Sequence, residues 1–81
     1  MEYLMARELA IRSGEEIGQA IGEIRRARGM SASELAELTG LSRSYIEKIE
    51  AGRTTSLLEH ELRILRRLGA RLTIDLSVAS G

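Results

Sequence analysis

The stretch SASELAELTGLSRSYIEKIEAG, from Ser31 to Gly52, decides the fold of this chain. Ser31 followed three residues later by Glu34 forms a capping box, which predicts a helix that begins just after Ser31. Gly40 follows the last periodic apolar residue, where a left-handed turn that favours glycine commonly ends a helix. Ser42 then caps a second helix, which ends before Gly52. The stretch therefore predicts two short helices joined by a sharp turn.

The apolar spacing in this stretch predicts how the two helices pack. Leu35 and Ala36 lie on the first helix, and the small side chain of Ala36 lets a second helix cross close above it. Ile46 and Ile49 give the second helix a buried stripe. Two short crossed helices of this kind are a helix-turn-helix, in which the start of the second helix enters the major groove of DNA.

The side of the second helix opposite its apolar stripe is expected to face outward. At about 100° per residue, that side carries Ser44 and Lys48, with Arg43 at its flank. Arg43 can pair with O6 and N7 of guanine, while Ser44 and Lys48 can reach bases or phosphates. The alternative is a solvated face on which Arg43 and Glu47 form an ion pair. Glu47 either orients Arg43 or accepts a hydrogen bond from N4 of cytosine.

Length and composition predict one small domain without a metal or another cofactor. The chain has 81 residues, no Cys and a single His, so neither a disulfide framework nor a cluster of metal-binding side chains is available. It has no apolar run of transmembrane length and no signal-peptide layout, which predicts a cytoplasmic protein without membrane contact. No constellation of catalytic residues is evident, so we expect a protein that is not an enzyme.

The charge distribution favours salt-sensitive rather than indiscriminate DNA binding. Lys and Arg balance Asp and Glu at twelve each, and this zero net charge argues against loose binding to nucleic acid. Residues 25–53 nevertheless contain six basic residues against four acidic ones. Positive charge is thus concentrated around the two helices, and we expect the affinity for DNA to fall steeply with added salt. The six basic residues are Arg25, Arg26, Arg28, Arg43, Lys48 and Arg53.

A helix is predicted before the motif. Ser13 and Glu16 form a second capping box, and apolar residues at helical spacing follow over residues 14–28. Gly18 and Gly22 lie inside this helix, where each is unfavourable by roughly 1 kcal/mol relative to Ala. These glycines either permit close packing against another helix or occupy tolerated exposed sites.

Another helix is predicted after the motif. Ser56 and Glu59 form a third capping box before a helix over residues 57–68. The apolar residues of this helix cover a wider arc than a surface helix needs for one core, which implies a second buried contact. They are Leu57, Leu58, Leu62, Ile64, Leu65 and Leu68.

Residues 71–78 are predicted to form a strand, because apolar residues alternate there with polar ones. A lone strand leaves its backbone groups unpaired and needs a partner. The partner is either residues 8–12 of the same chain or, as we favour, the same strand of a second copy. A homodimer also suits the motif, because two such helices about one turn of DNA apart can read a palindromic operator. The apolar tail residues are Leu72, Ile74, Leu76 and Val78.

Residues 13–77 resemble the Xre-type helix-turn-helix family of phage repressors, and within it the HipB-type antitoxins. The resemblance runs through RSGEEIGQAIGEIRRARG, SASELAELTGLSRSYIEKIEAG, a helix ending LRRLG and the strand RLTIDL, about four-fifths of the chain. It implies a mainly α, four-helix lambda-repressor-like domain with a C-terminal β-strand that pairs across a homodimer. It also implies binding to an operator in the gene's own promoter and capture of a HipA-like kinase toxin. The expected divisions are an N-terminal arm (1–12), the DNA-binding domain (13–69) and the dimerisation strand (70–78).

The resemblance assigns roles to individual residues. Arg25 and Glu50 match the family's structural salt bridge, which ties the first helix to the second helix of the motif. Ala32 departs from the family, which usually has Gln at this position to brace phosphate and base contacts. Tyr45 is either a DNA contact or half-buried packing. The base-reading positions fall on Arg43, Ser44 and Lys48, and the DNA-backbone positions on Ser31, Ser42, Tyr45, Arg53 and Thr54.

Three functions are compatible with these patterns. The first is an autoregulating repressor that is also an antitoxin, and the second is a stand-alone repressor of phage or plasmid type. The neighbouring genes would separate these two. The third is a protein-interaction module that has lost DNA binding, which Ala32, Glu47 and the zero net charge favour. Arg43 and Lys48 on the exposed start of the second helix argue against it, and a DNA shift assay with the upstream region would decide.

Overall fold

The computed structural model of the protein describes residues 8–76. Within this range the chain forms four helices and two strands, and the mainly helical fold expected from the sequence is confirmed. None of these helices is long and apolar enough to cross a membrane. In chain order the elements are β1 (Glu8–Ile11), α1 (Gly14–Ala27), α2 (Ala32–Thr39), α3 (Arg43–Glu50), α4 (Ser56–Arg67) and β2 (Leu72–Asp75).

Local hydrogen bonds set the boundaries of α2 and α3 as the sequence predicts. The Ser31 hydroxyl oxygen accepts from the Glu34 amide at 3.0 Å, and the Glu34 carboxylate accepts from the Ser31 amide at 2.7 Å. Gly40 ends α2 with a φ of 76°, in the left-handed region that favours glycine. The Ser42 hydroxyl oxygen accepts from the Tyr45 amide at 3.0 Å and caps α3. The two serine caps thereby provide acceptors for backbone amides that have no partner within their own helices.

The start of α4 differs from the prediction, because Ser56 and Glu59 do not form a capping box. Thr55 is the N-cap, and its hydroxyl oxygen accepts from the Leu58 amide at 3.3 Å. The Glu59 carboxylate instead accepts from the Gly14 amide and from the Thr54 hydroxyl, each at 2.7 Å. Since Gly14 is the first residue of α1, its amide has no partner inside that helix. Glu59 therefore joins α4 to the start of α1.

The partner of β2 also corrects our favoured expectation. Strand β2 pairs antiparallel with β1 of the same chain, with Ile11 opposite Leu72. Residues 8–12 were the alternative partner, and pairing within one chain avoids the loss of translational freedom that association brings. Of the other predicted strand residues, Leu76 follows β2, and Val78 lies outside the described residues.

The core of the described domain is small and lies where the elements meet. Ala36 and Ile46 are buried at the crossing of α2 and α3, as the spacing predicts. Ile11 of β1 is also buried, so the strand contributes packing as well as pairing. The buried apolar residues of the described range are Ile11, Ala20, Ala36, Ile46 and Leu62.

Helix α1 packs very closely on α3 at Gly18. A Cβ atom placed on Gly18 would lie 1.9 Å from the carbonyl oxygen of Ile49, which is a severe clash with backbone. At Gly22 the same atom would meet only side chains, the nearest at 3.2 Å. Both glycines are buried, so the interpretation as tolerated exposed sites is wrong for both, and the approach between the helices is closest at Gly18.

A bidentate ion pair reinforces this contact. Nε and Nη2 of Arg25 donate to the Glu50 carboxylate at 2.7 and 3.0 Å, and Nη1 donates to the Met30 carbonyl at 2.8 Å. Both charged side chains are only 13% exposed. The hydrogen bonds from Arg25 hold the pKa of the Glu50 carboxyl below its usual value, against the opposing effect of desolvation. One arginine thus ties α1 and the turn after it to the end of α3.

Removal of Arg25 should destabilise the fold, because Glu50 would keep a largely enclosed charge without its partner. We expect Arg25→Ala to lower the thermal midpoint by several degrees. Lys48→Ala removes one exposed cation from α3 and should leave the midpoint nearly unchanged. Thermal melts followed by circular dichroism would test this, and equal midpoints for the two variants would contradict it.

Stability should also fall in acid through Glu59. Hydrogen bonds from the Thr54 hydroxyl and the Gly14 amide lower the pKa of Glu59 from its usual value of 4.5. The folded pKa lies below the unfolded one, so this contribution is present above pH 4.5 and is lost as the pH falls through the folded pKa. Glu59→Gln should therefore be less stable than the wild type at neutral pH and equally stable well below pH 4.5. A constant difference at every pH, measured by urea unfolding, would rule this out.

Candidate nucleic-acid interface

Helix α3 turns one side to the core and the other to solvent. Ile46 is 3% exposed and Ile49 is half-buried, so these two residues hold the inner side. Ser44, Lys48 and Arg43 are all exposed on the remaining surface. The structure therefore brings the three predicted base-reading residues together on one accessible helix face.

The start of α3 is electrostatically unlike the starts of the other described helices. Acidic side chains occupy the first turns of α1, α2 and α4, whereas α3 has none and begins with Arg43. The free amides at a helix N-terminus carry a partial positive charge, and Arg43 adds to it. This end of α3 is consequently suited to the negative potential of a nucleic-acid groove.

Arg43 is held by a neighbour on its own helix. Its Nε donates to the Glu47 carboxylate at 3.0 Å, with side-chain exposures of 65% and 54%. This is the ion pair that the sequence offered as an alternative to DNA contact. The pair uses only Nε, so both Nη groups of Arg43 remain for other acceptors.

Two of the predicted DNA-backbone residues have hydroxyl groups suited to phosphate. Ser31 and Ser42 each use the hydroxyl oxygen to accept from a helix amide. Within residues 8–76 neither hydroxyl hydrogen has an acceptor, so both can donate to a phosphate oxygen. Glu34 already occupies the Ser31 amide, which leaves the amides further along α2 for an anion.

The two predicted DNA-backbone residues in the loop after α3 differ in whether their side chains are available to DNA. The Arg53 side chain is exposed, and its amide donates to the Lys48 carbonyl at 3.1 Å, which fixes the loop against the end of the helix. Thr54 donates its hydroxyl hydrogen to Glu59, so this group already serves the fold. Tyr45 lies at the flank of α3 with 53% exposure, half packed and half accessible.

Glu59 holds the loop that follows α3 in place, a role that the sequence did not reveal. By binding Thr54 and Gly14, it fixes the loop after α3 to the start of α1. Three consecutive hydroxyl residues, Thr54–Ser56, can each cap a helix. The three-residue spacing to Glu59 alone pointed to Ser56. Only the tertiary structure shows that Gly14 competes for the same carboxylate.

Comparison with known proteins identifies the family. A family model described as "Helix-turn-helix" matches residues 21–74, about two thirds of the chain, from the middle of α1 into β2. No curated protein and no solved structure matches the chain significantly. Within the described residues, no three His, Cys, Asp or Glu side chains are grouped as a metal site. The chain belongs to the Xre-like helix-turn-helix family of DNA-binding transcription regulators.

Proposed function

We propose that this protein is a transcription repressor that binds a palindromic DNA operator as a homodimer. The observation that carries the proposal is the outward face of α3, where Arg43 and Ser44 are exposed in a first turn free of acidic residues and Lys48 is exposed in the last turn. Repression follows from occupancy, because a protein seated in the major groove of a promoter excludes other proteins from that DNA.

Base reading and backbone contact are divided among different groups in this proposal. Arg43 pairs with guanine, and Ser44 and Lys48 reach neighbouring bases or phosphates. The Ser31 and Ser42 hydroxyls and the Arg53 side chain contact phosphates on either side, which fixes the position of α3 in the groove. Ala32 has no polar group to brace these contacts, so we expect moderate affinity.

The resemblance to HipB-type antitoxins supports a second role for the same chain. In that role it binds and restrains a HipA-like kinase toxin and represses the promoter of their shared operon. Co-expression with the product of the adjacent gene tests this role. The expected result is co-purification of the two proteins together with loss of kinase activity. If the neighbouring gene encoded an unrelated protein, the stand-alone repressor would be the remaining function.

An exposed apolar stripe on α4 supports the homodimer. Leu57, Ile64 and Leu68 are 70%, 57% and 75% exposed. Their spacing of seven and four residues places them on one side of the helix. Leu72, at the start of β2, is 39% exposed and lines a cleft with Ile64. A second copy would cover this surface, which is the second buried contact that the wide apolar arc predicts.

The free edge of β2 adds a further point of contact. The described sheet has only two strands, so β2 has β1 on one side and no strand on the other. The expected pairing of β2 with a second copy would use this free edge, since β1 occupies the other edge.

Loss of the Arg43 side chain should relax sequence preference. We expect Arg43→Ala to lower operator affinity by roughly 1 to 3 kcal/mol per contact and to remove the preference for guanine at one position of each half-site. Selection from random duplexes, followed by titration at several salt concentrations, measures both quantities. Arg63→Ala removes an exposed arginine from α4 and is the matched control. If Arg43→Ala retained the wild-type affinity and preference, Arg43 would not be a base reader.

Charged residues in the α4 stripe should separate the dimer. We expect Ile64→Glu with Leu68→Glu to give monomers in sedimentation and to weaken operator binding by about a hundredfold, because the second copy no longer binds alongside the first. Leu38→Glu is the matched control, since Leu38 is 72% exposed on α2. A variant that sedimented as a dimer would place the interface elsewhere.

A further inference from the structure

We propose that Glu47 is a specificity-determining residue, which holds the Arg43 guanidinium in the orientation that selects guanine and lowers affinity for every other sequence. The inference rests on the proposed DNA reading by Arg43. It assigns a role to a carboxylate that would otherwise only repel DNA phosphates.

The geometry of the pair leaves the base-reading edge of Arg43 available. The Glu47 carboxylate accepts from Nε at 3.0 Å, on the side of the guanidinium nearer the helix. Nη1 and Nη2 form the outer edge and carry parallel N–H groups. Guanine presents two acceptors, O6 and N7, to this edge, whereas adenine presents one acceptor and one donor. On adenine, one N–H of a guanidinium fixed in this way would face the N6 amino group, which is also a donor, and could form no hydrogen bond.

Stability of the fold does not account for the pair. Arg43 lies at the positive end of α3 and Glu47 lies toward the negative end, which is the less favourable order for a helix. Both side chains are more than half exposed, so their attraction is strongly screened by water. The contrast with the 13% exposed Arg25–Glu50 pair is clear. The Arg43–Glu47 pair can therefore be altered without unfolding the protein.

Two opposing effects on binding follow. An arginine that is already ordered avoids the loss of side-chain freedom on binding, which is worth about two- to tenfold in affinity for guanine. The negative charge of Glu47 meanwhile repels phosphates and lowers affinity for all DNA. Their combination raises the ratio of specific to non-specific binding.

Variants at position 47 separate these effects. Glu47→Gln keeps an oxygen acceptor for Nε but removes the charge, whereas Glu47→Ala removes both. We expect both variants to bind scrambled DNA more tightly than the wild type. We expect Glu47→Ala alone to lose about two- to tenfold of the preference for guanine over adenine. Glu23→Ala removes an exposed carboxylate from α1 and should change neither quantity.

The measurement is a set of fluorescence-anisotropy titrations of the full chain. Each variant is titrated with the selected operator, with the three substitutions at the Arg43-dependent base, and with scrambled duplex. Equal melting midpoints for the variants at position 47 establish that the fold is intact. A full guanine preference in Glu47→Ala, or a lost preference for cytosine at a neighbouring position instead, would overturn the inference.

The proposed function has a separate readout in the same experiment. A wild type that binds no DNA, or an Arg43→Ala variant with unchanged guanine preference, overturns DNA reading by Arg43 and the role of Glu47 with it. Guanine preference lost in Arg43→Ala but retained in Glu47→Ala overturns the role of Glu47 alone.

Discussion

The close approach of α1 to the end of α3 is the constraint on which the rest of the structure depends. The backbone of α3 reaches α1 only because Gly18 has no side chain, since a Cβ atom there would lie 1.9 Å from the Ile49 carbonyl oxygen. Arg25 then binds Glu50 from the same side. Helix α3 is thus held from behind by backbone contact and by an ion pair. Every side chain on its other side is left accessible.

The two ion pairs of α3 have opposite physical characters. Arg25–Glu50 is mostly shielded from water and joins separate elements, so it acts on stability. Arg43–Glu47 is exposed and local, so it acts on the orientation of one side chain and contributes little to stability. An eight-residue helix thereby uses its inner pair to fix its place in the fold and, in our proposal, its outer pair to choose a base. Because different residues serve the two tasks, each can be altered while the other is preserved.

Sequence reasoning succeeded where the controlling interactions are local. The Ser31 and Ser42 caps and the Gly40 turn depend on residues within a few positions, and the structure contains all of them. It failed where a distant group competes, as when Glu59 binds Gly14 rather than capping its own helix. The partner of β2 was misjudged for a related reason. A short alternation such as that of Leu9 and Ile11 gives a weak signal alone, and only the register with β2 makes it a strand.

The central claim, that the outward face of α3 and the loop after it contact DNA, is tested most directly by amide chemical-shift mapping. A uniformly ¹⁵N-labelled chain is titrated with a duplex selected from a random pool, and with a scrambled duplex as control. Our account predicts that the selected duplex causes the largest shifts at Ser42–Lys48 and Arg53, with small shifts in β1 and in the part of α1 that contacts it. Shifts concentrated on α4, or identical responses to the two duplexes, would contradict it.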